Sequence, residues 1–340
     1  MRKYSLAKKR VVLFMLTACL TFLFFEGGCQ QQTLVDSSST LSESEKQTTS
    51  QTEVMTNSSE VSSEVSSAVS SEVSSTVDSN EKNAEIPNLI HLAEAQGIVL
   101  ARNSDHSIKA IDFSALDNVI GIDPKDWEQL KKVRVLKGRG RLSPKLILSL
   151  EKMPQLTEFL WADVRLDEGE YLWPLLKISP KLKKVRLTGL TSENALPILD
   201  VLAECPSLEE LDISSSEITD DVLARINFPA MTKLTKLNLY QLPVSNVVAS
   251  ALLPLKDQLL WLNLDATKID ETVIPELSQF QQLKFLHLGR TNISSACFDS
   301  LSKMNSLETL YITRTKINEI EANILRGKLP SCKIISQIEK

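Results

Sequence analysis

From residue 130 onward the apolar residues return in one pattern, Leu-x-x-Leu-x-Leu or a close variant. It starts at Leu130, Leu156, Leu182, Leu208, Leu234, Leu259, Leu283 and Leu307, with spacings of 26, 26, 26, 26, 25, 24 and 24 residues. Alternation over six residues predicts a short strand with one buried side. Behind each strand, apolar residues recur at helical spacing, as in Ile274, Leu277 and Phe280 or Phe298, Leu301 and Met304. Each unit therefore pairs a strand with a short helix. A register held this long predicts a stack in which neighbours bury each other's flanks.

The best units continue into Thr-x-Ile, at Thr267 with Ile269, Thr291 with Ile293 and Thr315 with Ile317; Ser216 with Ile218 is the same device. The hydroxyl is placed to bond backbone groups of the turn and to stack into a ladder from unit to unit. The unit at Leu156 lacks it and the unit at Leu234 has Leu242-Pro243 instead, so irregular turns are expected there. Upstream, Pro87–Gln96 reads as a helix with Pro at its first position and Gly97 beyond its end. Ile98–Ala101 reads as a strand, Asn103–His106 as a tight turn, and Ile108, Ile111 and Phe113 as a first, shorter strand. Residues 82–129 are expected to cap the stack, and residues 130–340 to hold the repeats and a C-terminal cap with Lys333–Ile335 as its last strand.

These motifs resemble those of leucine-rich repeat proteins, and the Thr-x-Ile turns resemble a bacterial subclass with 24-residue repeats. The resemblance implies an α/β fold: a right-handed solenoid with a parallel concave sheet and short convex helices. It also implies recognition of another macromolecule, in adhesion, host-protein binding or envelope scaffolding.

The N-terminal quarter has another composition. Arg2, Lys3, Lys8, Lys9 and Arg10 precede an apolar run from Val11 to Phe25, the layout of an export signal and shorter than the roughly 20 residues of a comfortable membrane span. A retained signal anchor is the alternative. Gly27-Gly28-Cys29 resembles the processing site of bacterial lipoproteins, in which the thiol is acylated. Cys29 has the whole apolar run behind it; Cys19 has the better local motif, Leu16-Thr17-Ala18-Cys19. Ser supplies 17 and Thr seven of residues 31–80, with no aromatic residue. Such a segment cannot bury enough surface to offset its chain entropy and reads as a disordered tether. The expected layout is a signal over 1–28 and a linker over 29–81. The folded part would then sit by lipid anchor on the extracellular side of the cell membrane, in a bacterial envelope.

Charge sharpens this reading by exclusion. The chain carries 38 basic and 43 acidic residues, a net charge of −5, too mild for a nucleic-acid binder. No Gly-x-Ser-x-Gly, His-Glu-x-x-His, Walker-type or Cys-x-x-Cys motif occurs, and Gly138-Arg139-Gly140 lacks the third glycine of a dinucleotide loop. His91, His106 and His287 fall in different elements. No enzyme, cofactor or metal site is expected, and Cys205, Cys297 and Cys332 read as buried small hydrophobes.

Surface remains. The third, fifth, seventh and eighth positions of each unit face outward on the sheet, and nine strands at ~4.8 Å make a face about 40 Å long. Its early strands show Lys132, Arg134, Lys137, Lys184 and Arg186, with Arg139 and Arg141 just beyond the first. Its late strands show Tyr240, Trp261, Phe285, His287 and Tyr311, bordered by Asn238, Asn263, Asp265, Arg290 and Arg314. Aromatic rings ringed by polar groups point to a protein partner, from a host or the envelope. The basic strands point to an alternative, an anionic envelope polymer such as teichoic acid. Trp127, Trp161 and Trp173 read as core.

Overall fold

The computed structural model describes residues 88–166 and 179–337. The expected signal, Cys19, Cys29, the Ser-rich linker and Trp173 lie outside the described residues. Among the described residues no helix is long and apolar enough to cross a membrane.

Among the described residues twelve strands form one sheet: β1 (Val99–Arg102), β2 (Ile108–Asp112), β3 (Asn118–Val119), β4 (Val135–Leu142), β5 (Glu158–Arg165), β6 (Lys184–Leu187), β7 (Glu210–Asp212), β8 (Lys236–Asn238), β9 (Trp261–Asn263), β10 (Phe285–His287), β11 (Thr309–Tyr311) and β12 (Lys333–Ile335). They lie in chain order, with β3 set aside against β4. β1 runs antiparallel to β2, and every other pairing is parallel. Between strands the chain returns through short helices, among them α1 (Leu89–Gln96), α2 (Pro144–Ser149), α3 (Ser192–Ala203), α4 (Asp220–Leu223), α5 (Val247–Leu252), α6 (Ile274–Leu277), α7 (Phe298–Leu301) and α8 (Glu319–Lys328).

The repeat positions explain the core. The leading leucines from Leu156 to Leu307 are buried, as are the helix-side residues Ile274, Leu277, Phe280, Leu301 and Met304. Each such side chain contributes roughly 1.5–3 kcal/mol of burial, which no unit could collect without a neighbour on each side.

The first unit is not in the register expected from sequence. Val135 pairs with Glu158 and Leu136 with Phe159, so the unit starts at Val133, and Leu130 belongs to the preceding 3-10 helix, Pro124–Lys132. The sixth position of this unit, elsewhere a large inward residue, is Gly138. Its place is filled by Trp161, the sixth position of the next unit, which is fully buried and donates from Nε1 to Gly140 O at 3.1 Å. A Cβ on Gly138 would stand 2.3 Å from the Trp161 ring. Gly140 has φ +77°, and a Cβ there would meet Asp117 O at 2.6 Å. Packing and turn geometry therefore account for the Gly-x-Gly pair.

Gly140 opens a ladder of left-handed residues at the eighth position. It continues through Asp163, Gly189, Ser215, Gln241, Ala266, Arg290 and Arg314, all at φ between 50° and 77°. This conformation turns the chain sharply off the sheet, and the amides of Ser215, Gln241, Ala266 and Arg290 still donate to the next unit at 2.8–2.9 Å. A left-handed L-residue costs about 1–2 kcal/mol, partly offset in glycine by the entropy of its unfolded chain. Ala266→Gly is therefore expected to stabilise the fold by about 0.5–1 kcal/mol, a rise in melting temperature of about 1–3 °C. A lower melting temperature would contradict this turn geometry.

The expected hydroxyl ladder takes another form. Thr267, Thr291 and Thr315 each donate to the carbonyl three residues back, at 2.7, 2.6 and 2.9 Å, so each closes its own turn. Ser216 alone of this set reaches a neighbouring unit, accepting from Leu190 N at 3.0 Å. The unit at Leu234 keeps the turn without a hydroxyl, burying Leu242 and Val244 instead.

At the N-terminal end, α1 starts at Leu89, where the Asn88 side chain accepts from His91 N and caps the helix; Pro87 of the expected helix lies outside the described residues. The buried Asp126 carboxylate accepts from Leu89 N at 2.6 Å and from Gln129 Nε2 at 2.8 Å, tying α1 to the 3-10 helix before β4. At the other end, Asn318 and Glu321 form a capping box at the start of α8.

Candidate functional site

The outward columns of the sheet converge on the last strands. Parallel pairing sets Trp261 beside Phe285 and His287 beside Tyr311. The Trp261 and Phe285 rings stack at 4.8 Å between centroids and 10° between planes. Phe285 leans on Tyr311 at 5.5 Å, and Tyr311 stacks on His287 at 4.5 Å and 8°. The four rings form one continuous platform, each half-buried.

The strand ends fix the platform through a recurring turn. At the fifth position Asp212, Asn238 and Asn263 each accept from the amide two residues on, at 3.1, 3.1 and 2.9 Å. His287 does the same through Nδ1, accepting from Gly289 N at 3.2 Å. This bond leaves the proton of the neutral ring on Nε2. Gly289 gives the ring its place, since a Cβ there would come 2.8 Å from His287 Cε1 and from Thr313 Oγ1.

Burial holds the His287 pKa below 6.5; Asp265 pulls it up and Arg290 pushes it down. Below pH 6.5 an unfolded chain takes up a proton that the folded ring resists, so stability falls as pH drops through that value. His287→Asn keeps an acceptor for Gly289, as Asn263 provides in the unit before, and removes the titration. Thermal melts between about pH 7.5 and about pH 5.5 should therefore fall for the wild type and run flatter for this variant. Equal slopes would contradict the assignment of the proton uptake to His287.

Beside the rings, Arg290 lays Nε and Nη2 on the two oxygens of Asp265, with the Nε contact at 2.9 Å. Its guanidinium carbon stands 5.1 Å from the Tyr240 ring. The carboxylate raises the Arg290 pKa further, so the pair stays ionised. Tyr240 is thus outside the ring stack and joined to it through Arg290. Past this pair lies an open depression of about 390 Å³, walled by His287 and Tyr311 and rimmed by Arg290 and Arg314. Thr313, Lys333, Ile335 and Gln337 complete it. The last three come from β12 and just beyond. They were missed because that strand read only as a cap; the register that pairs Thr309 with Lys333 is the signal that finds them.

The basic early strands look different once folded. Lys132 and Arg134 precede the corrected register and leave the outward columns; Lys132 pairs with Asp105. Lys184 bonds Glu210 at 3.0 Å, and Lys236 reaches the same carboxylate at 2.5 Å. Burial opposes ionisation of Glu210, yet the two lysines outweigh it and hold its pKa below the ordinary range. Arg186 pairs with Asp212 at 2.8 Å, and Arg139 lies 3.9 and 3.8 Å from Asp117 and Asp163. Lys184, Arg186 and Lys236 thus meet acids in their own columns on neighbouring strands.

Cys297 and Cys332 are buried, and burial pushes their thiols up to about 12 and about 11. No cluster of His, Cys, Asp and Glu suits a metal ion among the described residues. Trp127 is half-buried, donating to Ile122 O at 3.3 Å with Lys152 over its ring. Ile320 and Ile324 on α8 are exposed apolar side chains one helical turn apart.

The fold is that of a leucine-rich repeat solenoid, defined by its units, its parallel sheet and its flanking helices. Among solved structures, it is similar to a leucine-rich repeat protein of Leptospira interrogans, at 17% identity over 66% of this chain and a TM-score of 0.44. The match spans 60% of the length of the Leptospira protein. Internalin C2 of Listeria monocytogenes is also similar, at 17% identity, TM-score 0.42, and 68% and 81% of the two chains. A chain of the PEPR1–AtPEP1 structure follows at 15%, 0.39, and 70% and 36%. No protein-family model and no curated protein matches the sequence.

Proposed function

We propose that this chain is an exported, lipid-anchored leucine-rich repeat protein of a bacterial envelope that holds a protein partner on the sheet face of its last repeats. The observation that carries the reading is the ring platform of Trp261, Phe285, His287 and Tyr311. Aromatic rings each offer about 150–250 Å² of contact at low entropic cost, and the most sensitive positions of protein interfaces are built from them. The platform is already ordered by stacking and by the Gly289 turn, so little ordering remains for binding to bear. Ion pairing across the early strands argues against the polymer alternative, which needs unpaired cations in a row.

The test is capture from envelope extracts and host surface proteins by the wild type and by a Trp261→Ala, Phe285→Ala, Tyr311→Ala variant of equal helicity. A protein retained by the first and lost by the second supports the reading, and its retention should change little with salt. Equal capture by both would overturn it. The anchor is tested separately by labelling with a fatty acid: Cys29→Ser is expected to remove the label and release the chain from membranes. Loss of label only with Cys19→Ser would move the anchor to that residue, and loss with neither would remove it.

A further inference from the structure

We propose that the depression beside the ring platform is a carboxylate subsite, so that the partner segment carries an acidic side chain two residues from, or a chain terminus beside, the side chain seated on the rings. The inference rests on the platform being the recognition surface. The charges around the depression carry it. Its one acid, Asp265, has a side chain only 9% exposed, and both its oxygens are engaged by Arg290. That pair is closed and neutral. Arg314 and Lys333 remain, both exposed and without an ion pair among the described residues. Neutral His287 contributes an Nε2 proton, a further donor on the ring wall.

The site therefore offers an excess of positive charge at one end of an apolar stack. A carboxylate meets it with charge-assisted bonds, whereas a neutral segment would leave the two cations to water. In an extended peptide successive side chains alternate faces and rise about 3.3 Å per residue, so side chains two residues apart, about 6.6 Å, share a face and can serve the rings and the rim together. A long polyanion fits less well. Its charges would need a basic track along the sheet, where Lys184, Lys236 and Arg186 are already bonded to Glu210 and Asp212.

The test uses the full chain in detergent on an array of random-sequence peptides, printed with free and with amidated C-termini, with heparin as a polyanion probe. The variants are Arg314→Gln with Lys333→Gln, Arg314→Lys with Lys333→Arg, and Phe285→Ala. The expected result is enrichment of peptides with Asp or Glu two residues from an aromatic or aliphatic residue, or with such a residue beside a free C-terminus. The Gln variant should weaken them about tenfold or more, and the charge-preserving variant should restore most of it. Amidation separates a chain terminus from a side-chain carboxylate as the source. Peptides that depend on Phe285 but show no acid preference, or that bind the Gln variant equally, would overturn the subsite and leave the platform standing. Capture of heparin alone, or of nothing, would overturn both.

Discussion

Phe285→Ala is expected to weaken partner binding by about thirtyfold or more, the effect of losing at least about 2 kcal/mol at a central interface residue. Phe285 is the ring through which the others connect: Trp261 stacks on it at 4.8 Å, Tyr311 leans on it at 5.5 Å and His287 lies 6.4 Å away. Its removal splits the platform into Trp261 alone and the His287–Tyr311 pair, besides deleting contact area. Because the ring is only half-buried, the melting temperature should move by little. Tyr240→Ala is the informative contrast. That ring braces Arg290 and lies outside the stack, so its loss should cost less. An unchanged dissociation constant for Phe285→Ala would remove the platform from the interface.

A larger effect, on stability, is expected from Gly138→Val. Gly138 sits where each later unit places a bulky inward residue, and the fully buried Trp161 ring occupies the space at 2.3 Å from where a Cβ would stand. The indole is also held by its bond to Gly140 O and by Phe159, with ring centroids 6.0 Å apart. A branched side chain must therefore displace the ring. Overpacking of this kind costs about 1–3 kcal/mol, and losing the Trp161 contacts costs about 3–5 kcal/mol. The expected result is destabilisation by about 3 kcal/mol or more in a denaturant melt. Adding Trp161→Leu should recover part of the loss, because a smaller side chain then faces the added volume. Destabilisation by Trp161→Leu that simply adds to that of Gly138→Val would contradict this size complementarity.

The same pair explains where the sequence misleads. From Leu156 onward the leading leucines are legible because burial on both flanks allows nothing polar there. In the first unit, Leu130-x-x-Val133-x-Val135 imitates the motif, while the true Val133-x-x-Leu136-x-Gly138 hides it: its sixth side chain is supplied by a neighbour. The left-handed ladder is hidden too. Asp163, Ser215, Gln241, Ala266, Arg290 and Arg314 carry it without glycine, and at Ser215, Gln241, Ala266 and Arg290 a hydrogen bond to the next unit supports the turn that local preference does not favour. The aromatic column was legible, since residues one unit apart share a place on the sheet. The early strands needed the acids as well as the cations: Lys184, Glu210 and Lys236 stand in one column, and the shared carboxylate offsets part of the lysines' charge. The depression needed the fold, because β12 follows Cys332 and has no leucine to announce its register, yet it brings Lys333 and Ile335 to the rings.

Site-specific photo-crosslinking in cells that make the protein tests the central claim most directly. One crosslinker would replace Thr309, which pairs with Phe285 on the sheet face, and another would replace Ile320, the 77% exposed side chain on α8. The account predicts a crosslinked protein at position 309 and none at position 320. A partner trapped only at position 320 would place recognition on the helical side and contradict it.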